Sequence, residues 1–175
     1  MYSKALYVNI YNRLRKAGTD MNINKIWKIK EHDDLVIALD EYISEKCEYG
    51  EEIDNLSYPE RIFFITQAVE MEVNNGGFNQ FFVNSSSDFA EEMVKAFEEI
   101  GAIHTAKICK KAIKALGREL PPVGSDEREE VLDELVESDE INDILEECDD
   151  AFYEYEDDLE ELNYAYVMKN KDYFV

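Results

Sequence analysis

The stretch that decides the fold is SYPERIFFITQAVEMEVNNGGFNQFFV, residues 57–83. It opens with a helix start signal: Ser57 as the cap, a proline in the first turn and a glutamate three residues after the serine. The helix that follows is expected to run to Val73. It should end at residues 74–77, because Asn75 and Gly76 readily take the left-handed conformation that ends helices. A short further helix is predicted directly after this point, up to residue 83.

Apolar residues at intervals of three and four predict helices elsewhere in the chain. One ends near Gly18, a second covers about residues 33–49, and two more cover about residues 88–100 and 102–116. A glycine follows each of them, which is a common way for a helix to end. No strand pattern and no internal repeat is found. The sequence therefore predicts an all-α fold, a single-domain helical bundle of about seven to eight helices.

The last third of the chain has no glycine or proline after Gly124. Ser125 and Ser138 are candidate caps for a helix through Val136 and for a longer helix beyond it. In the longer helix, apolar residues alternate at intervals of four and three, which predicts one continuous apolar seam. Apolar neighbours widen this seam, as expected for a helix in a bundle. The seam consists of Ile141, Leu145, Cys148, Phe152, Tyr155, Leu159, Leu162 and Tyr166.

Charge is the most unusual property of the sequence. It has 41 acidic and 18 basic residues, a net charge of −23. Residues 119–161 hold one basic and twenty-one acidic residues, whereas residues 1–30 hold seven basic residues and one acidic residue. This balance disfavours direct binding to nucleic acid or to an anionic membrane surface. It favours a basic protein partner, a cation, or a surface that serves solubility only.

The acidic block at residues 126–161 has a charge density similar to that of DNA. If it is helical throughout, it extends on the order of 54 Å and carries one carboxylate about every 2.7 Å. Duplex DNA carries one charge per roughly 1.7 Å of its axis. The carboxylates that we assign to partner binding are Glu130, Glu134, Glu137, Asp143, Glu146, Glu147, Asp150, Glu154, Asp157, Asp158 and Glu161.

The residue types that carry chemistry form no catalytic pattern. Cys47, Cys109 and Cys148 lie far apart in helical segments and are expected to be buried thiols without a disulfide. His32 and His104 have no second ligand at metal-binding spacing, and no phosphate loop, nucleophile elbow or Cys-x-x-Cys motif occurs. We therefore expect no metal, no cofactor and no enzyme activity. The chain has no signal peptide and no long apolar run, so a cytoplasmic protein is expected.

The string EVNNGGFNQFFVNSS, residues 72–86, is the most unusual local feature. In a structural role its glycines turn the chain, its phenylalanines enter the core, and its amides satisfy backbone groups at helix ends. In a functional role the same amides, with His104, would line a binding pocket. We favour the structural role for the residues of this motif, which are Asn74, Asn75, Gly76, Gly77, Phe78, Gln80, Phe81, Phe82 and Asn84.

This string resembles the signature of a bacterial family of uncharacterised domains, whose pattern is close to EVNNGGFNQFFxNS. Residues 97–102, FEEIGA, are similar to the family's ALxxIGA segment, and residues 151–154 and 170–174 resemble its aromatic, acidic end. The resemblance covers residues 57–174. The family includes a DNA-mimic protein. The resemblance therefore implies an all-α fold, a dimer, and an acidic surface that occupies the DNA site of a transcription factor.

The leading hypothesis is a DNA-mimic or acidic regulatory protein that binds a basic, DNA-binding protein through its carboxylate-rich helices. Three alternatives stay open. In the first alternative the chain is an immunity-type inhibitor of a basic toxin or nuclease. In the second it is an enzyme or small-ligand-binding domain that uses the Asn-Gly-Gly-Phe segment. In the third alternative the acidic surface serves solubility only. The basic residues 1–30 would count against mimicry if they folded back on the acidic face.

Overall fold

The computed structural model describes residues 22–117 and 126–175. These residues form eight α-helices and no strand, so the predicted all-α fold is confirmed. The helix expected before Gly18, the proline-containing linker at residues 121–124 and the cap at Ser125 lie outside the described residues. The helices are α1 (Ile23–Ile26), α2 (His32–Lys46), α3 (Tyr58–Val83), α4 (Ala90–Ile100), α5 (Ile103–Ala115), α6 (Asp126–Val136), α7 (Asp139–Tyr153) and α8 (Leu159–Lys169).

The chain divides into two compact units. Unit 1 joins the described residues up to Gln67 to those from Asp158 onward, and unit 2 is Ala68–Asp157. The single domain expected from the chain length stays a prediction. Within residues 22–117 and 126–175, none of the helices is both long and apolar enough to cross a membrane.

Unit 1 is built around an aromatic core. Phe174 is buried, and its ring meets the rings of Trp27 and Phe63 edge to face, with centroids 6.4 and 5.9 Å apart. α2 packs against α8. Inside the unit, the buried hydroxyl of Thr66 donates to Asn163 Oδ1 over 2.8 Å. This bond ties the first half of α3 to α8 and satisfies two polar groups that burial would otherwise penalise.

The capping box predicted at the start of α3 is present. The Ser57 backbone N–H donates to Glu60 Oε2 over 2.8 Å, and the Glu60 N–H donates to Ser57 Oγ over 3.5 Å. The Glu60 side chain is fully buried, and Lys46 Nζ lies 2.8 Å from its Oε1. One carboxylate therefore both starts the helix and pairs with a lysine from α2.

Unit 2 contains α4 to α7 and the second half of α3. α4 buries Met93, Phe97 and Ile100, and it ends at Gly101 in the left-handed conformation, with φ 92°. The helix starts at Ala90, after a 3₁₀ turn at Ser85–Phe89. α5 packs against both α4 and α7. All three cysteines of the chain are buried free thiols, as predicted.

The break inside α3 falls slightly later than predicted. The helix continues through Asn74 and Asn75 and is interrupted at Gly76 and Gly77. Gly76 has an extended φ of −167°, and the left-handed residue is Gly77, with φ 78°. The expectation that Asn75 and Gly76 take the left-handed conformation is therefore wrong. The short helical segment up to Val83 follows as predicted.

The single long helix predicted after Ser138 is also wrong. α7 ends at Tyr153 and α8 begins at Leu159. Tyr155 takes the left-handed conformation between them, with φ 48°. Its hydroxyl donates to Glu70 Oε1 over 3.0 Å and accepts a hydrogen bond from Asn74 Nδ2 over 2.6 Å. These tertiary bonds hold a conformation that costs roughly 1–2 kcal/mol for a residue with a side chain.

Candidate interaction surface

One side of α7 consists of exposed carboxylates. Leu145, Cys148 and Phe152 are buried on the opposite side of the helix. Because residues three and four apart share a helix face, the acidic residues between these positions fall together and point to solvent. We call this set the α7 carboxylate stripe, and its members, all exposed, are Asp139, Glu140, Asp143, Glu146, Glu147, Asp150 and Glu154.

The stripe has the linear charge density of a DNA strand. From Asp139 to Glu154 the helix rises about 22 Å. Seven carboxylates over that length give one charge about every 3–4 Å. Each strand of duplex DNA carries one phosphate per about 3.4 Å of axis. The stripe therefore carries about as much negative charge per unit length as one DNA strand.

A second group of carboxylates lies on α6, which packs against α7 within unit 2. Val131, Leu132 and Arg128 are the buried residues of α6 among those whose side chains are described. The acidic residues point away from them. The exposed acids of α6 and of the turn after it are Glu127, Glu130, Asp133, Glu134 and Glu137.

Nine of the eleven carboxylates assigned to partner binding lie in unit 2, and Asp158 and Glu161 lie in unit 1. Those two belong to the start of α8. Asp158 Oδ1 accepts from the Glu161 N–H over 3.2 Å and caps the helix. Glu161 Oε1 lies 2.8 Å from His32 Nδ1, and the His32 ring stacks on Tyr164. Both acids thus have local partners within unit 1.

Asp157 differs from the other assigned carboxylates because it is only partly exposed. Its Oδ2 accepts from the Thr105 N–H over 2.8 Å and from Thr105 Oγ1 over 3.0 Å. Thr105 lies in the first turn of α5, where backbone N–H groups have no partner within the helix. Asp157 therefore acts as a cap for α5. Beside it, Glu156 Oε2 lies 3.0 Å from His104 Nδ1.

Four exposed lysines on α5 form a basic row in unit 2. This row was not predicted from the sequence. Their spacing of three, four and seven residues places them on one face, a signal that was visible in residues 107–114. Lys111 Nζ lies 2.6 Å from Glu147 Oε2 of the stripe. This contact raises the pKa of Lys111 and lowers that of Glu147. The row consists of Lys107, Lys110, Lys111 and Lys114.

The Asn-Gly-Gly-Phe segment holds α7 in place. The Phe78 N–H donates to Asp149 Oδ1 over 2.7 Å, and Asn79 Nδ2 donates to Asn142 Oδ1 over 2.8 Å. A Cβ at Gly77 would collide with the Asp149 carboxylate. Asp149 is half-buried, and its desolvation is the main cause that raises the pKa of its carboxyl. The absence of a side chain at Gly77 therefore leaves space for the Asp149 carboxylate, which accepts the hydrogen bond from Phe78.

The other amides and the phenylalanines of the motif also bond or pack within unit 2. Gln80 Nε2 and Asn84 Nδ2 both donate to Glu72 Oε2, over 2.7 and 2.9 Å. The Tyr153 hydroxyl donates to the carbonyl of Val73 over 2.7 Å. These contacts support the structural role of the motif. Its three phenylalanines, Phe78, Phe81 and Phe82, are fully buried.

Metal binding and thiol chemistry find little support in the part of the chain that the structure describes. No cluster of three or more histidine, cysteine, aspartate or glutamate side chains there is arranged to hold a metal ion. Burial is the main cause that raises the pKa of the Cys148 thiol to about 11. Burial also raises the pKa of Cys109. Both thiols are therefore protonated at neutral pH and are poor nucleophiles.

The family model of DMP19-like proteins matches residues 54–170. The chain belongs to the DMP19-like protein family. The resemblance seen in residues 72–86 is thereby confirmed. The match includes α6 and α7, which carry the acidic surface, and it excludes the basic residues 1–30. No curated protein and no solved structure matches the chain.

Proposed function

We propose that this DMP19-like protein binds a basic, DNA-binding protein through the α7 carboxylate stripe and the neighbouring acids of α6. The carboxylates take the place of DNA phosphates on the partner. The observation that carries the proposal is the stripe itself, seven exposed acids on one side of one helix at the charge spacing of a DNA strand. Membership of a family that includes a DNA-mimic protein supports it.

The chemistry of the stripe suits lysine and arginine side chains. Ionised carboxylates accept charge-assisted hydrogen bonds from both, and two carboxylate oxygens match the fork of an arginine. The stripe is also held in place, because Asp149 and Tyr153 bond α7 to the second half of α3. A fixed set of charges loses less conformational entropy on binding than a flexible acidic tail does.

The competing explanation, solubility, depends on net charge and not on where the charges lie. Two variants with the same change in net charge therefore separate the two explanations. The first neutralises four acids of the stripe, and the second neutralises four exposed acids elsewhere. The stripe variant is Asp143→Asn, Glu146→Gln, Asp150→Asn and Glu154→Gln. The control variant is Glu45→Gln, Glu51→Gln, Glu52→Gln and Glu98→Gln, all exposed positions.

The experiment is capture of basic proteins from a lysate of the source cells by the wild type and both variants. The proposal predicts that the wild type and the control capture the same DNA-binding protein and that the stripe variant loses it. Equal capture by both variants would contradict the proposal. A captured nuclease or toxin, in place of a transcription regulator, would favour the immunity-type alternative.

A further inference from the structure

Arg128 is the one basic residue among residues 119–161, which hold twenty-one acids. Its side chain is 2% exposed, and it is the largest of the fully buried side chains in the described part of the chain. A charged side chain is rarely buried unless it is paired. The contacts of Arg128 explain why a cation is buried inside the acidic block.

The guanidinium binds the segment just before α4 and the first turn of that helix. Nη1 and Nη2 donate to the two carboxylate oxygens of Glu91 over 2.9 and 3.0 Å. Nη2 also donates to the carbonyl of Ser87 over 2.7 Å. Nε lies 3.5 Å from Asp88 Oδ1. This is a bidentate pair with a further backbone bond, the geometry for which arginine is better suited than lysine.

Apart from Arg128, few of the described side chains of α6 are buried against the rest of unit 2. Its buried apolar residues there are Val131 and Leu132. An isolated helix of eleven residues is marginal in water. α6 also packs against α7, which carries the carboxylate stripe, and like charges on neighbouring helices repel. A cation that points inward from α6 holds the helix without placing a positive charge among its exposed acids Glu127, Glu130, Asp133 and Glu134.

We propose that Arg128 is the positioning residue of α6: its cluster of contacts, with the Glu91 and Asp88 carboxylates and the Ser87 carbonyl, fixes where the α6 carboxylates stand beside the α7 stripe. The consequence for binding rests on the proposed function, but the positioning itself is tested without any partner. If the cluster is broken, α6 should detach while the rest of unit 2 stays folded.

The test is backbone hydrogen exchange of the full chain, resolved by residue. In Arg128→Gln, the amides of α6 should exchange at least about ten-fold faster, while those of α4, α5 and α7 change less than about two-fold. Arg128→Lys should restore part of the protection, because lysine keeps the charge but lacks the fork. Arg61→Gln is the control, since Arg61 pairs with the almost fully exposed Asp54 in unit 1.

Two results would overturn the proposal. One is α6 protection in Arg128→Gln that equals the wild type. The other is a uniform acceleration across unit 2, which would make Arg128 a general core residue. If Arg128→Gln does not fold, the same comparison is made with Arg128→Lys alone, where selective loss in α6 is still expected. Hydrogen exchange needs no partner, so it tests the positioning by Arg128 alone. The capture experiment tests the proposed function separately.

Discussion

The backbone N–H of Phe78 donates a hydrogen bond to Asp149, with 2.7 Å between Phe78 N and Asp149 Oδ1. This bond joins the Asn-Gly-Gly-Phe motif of α3 to the helix that carries the carboxylate stripe. The motif and the acidic surface are therefore parts of one structure. The Asn-Gly-Gly-Phe segment has no acidic side chain of its own, yet it helps to position the acids of α7.

The first prediction concerns Gly77. Gly77→Ala forces a left-handed conformation on alanine and places its Cβ against the Asp149 carboxylate. The combined cost should be about 2–4 kcal/mol in the free energy of unfolding. Gly117→Ala is the comparison, because Gly117 also has a positive φ, 70°, but the nearest described contact of its added carbon is a backbone oxygen at 4.0 Å. It should cost about 1 kcal/mol. Equal losses in urea unfolding would show that the contact with Asp149 is unimportant.

The second prediction concerns the pH dependence caused by Asp149. Its pKa is raised in the folded protein, chiefly by desolvation. The native state therefore binds this proton more tightly than the unfolded state. The destabilisation is fully present above the folded pKa and is relieved as the pH falls toward the ordinary value for aspartate.

Asp149→Asn keeps an oxygen that accepts from the Phe78 N–H and removes the charge. It should equal or exceed the stability of the wild type near pH 7, and this advantage should shrink as the pH falls to about 4. Unfolding by urea at several pH values measures it. A variant that is less stable than the wild type at neutral pH, with the gap closing in acid, would have the opposite sign and refute the assignment.

The third prediction separates Asp157 from the partner surface. Asp157→Asn weakens the cap on the first turn of α5, and Asp157→Ala removes it. The alanine variant should lose about 1 kcal/mol of stability. Asp143→Ala, at an exposed position of the stripe, should change stability by less than about 0.5 kcal/mol. Thermal unfolding of the two alanine variants checks this. An equal loss of stability in both would show that Asp157 does not cap α5.

The fourth prediction concerns the ion pair between Lys111 and Glu147. Lys111→Met should return the pKa of Glu147 upward to its ordinary range, since the lysine is what lowers it. An NMR titration of the Glu147 side-chain carboxyl follows this directly. Lys107→Met is the control and should leave that pKa unchanged. Stability should barely respond, because the side chains of the pair are 50% and 70% exposed and exposed pairs contribute little.

Local signals in the sequence predicted the elements that depend on local bonds. The capping box of Ser57 and Glu60 and the left-handed end of α4 at Gly101 are of this kind. The break at Tyr155 was missed, because the bonds that hold it come from Glu70 and Asn74, more than eighty residues earlier. The apolar spacing continues through the break, so periodicity alone favoured one long helix.

The same limit applies to the candidate site. The exposed side of α7 followed from its apolar seam, since the opposite face of a helix is fixed by its period. The burial of Arg128 did not, because its partner Glu91 lies on another helix 37 residues away. The sequence places Asp157 among the surface acids, because its bond to Thr105 spans 52 residues and leaves no local signal. Charge counts cannot distinguish an acid that faces solvent from one that caps a helix.

The most direct test of the central claim is capture of a partner by the wild-type protein in the presence and absence of excess competitor duplex DNA. The account predicts that the protein captures a DNA-binding protein, that duplex DNA displaces it, and that added salt weakens the complex. Capture of a partner that is indifferent to duplex DNA, or of no basic protein at all, would contradict the claim that the α7 carboxylate stripe takes the place of DNA.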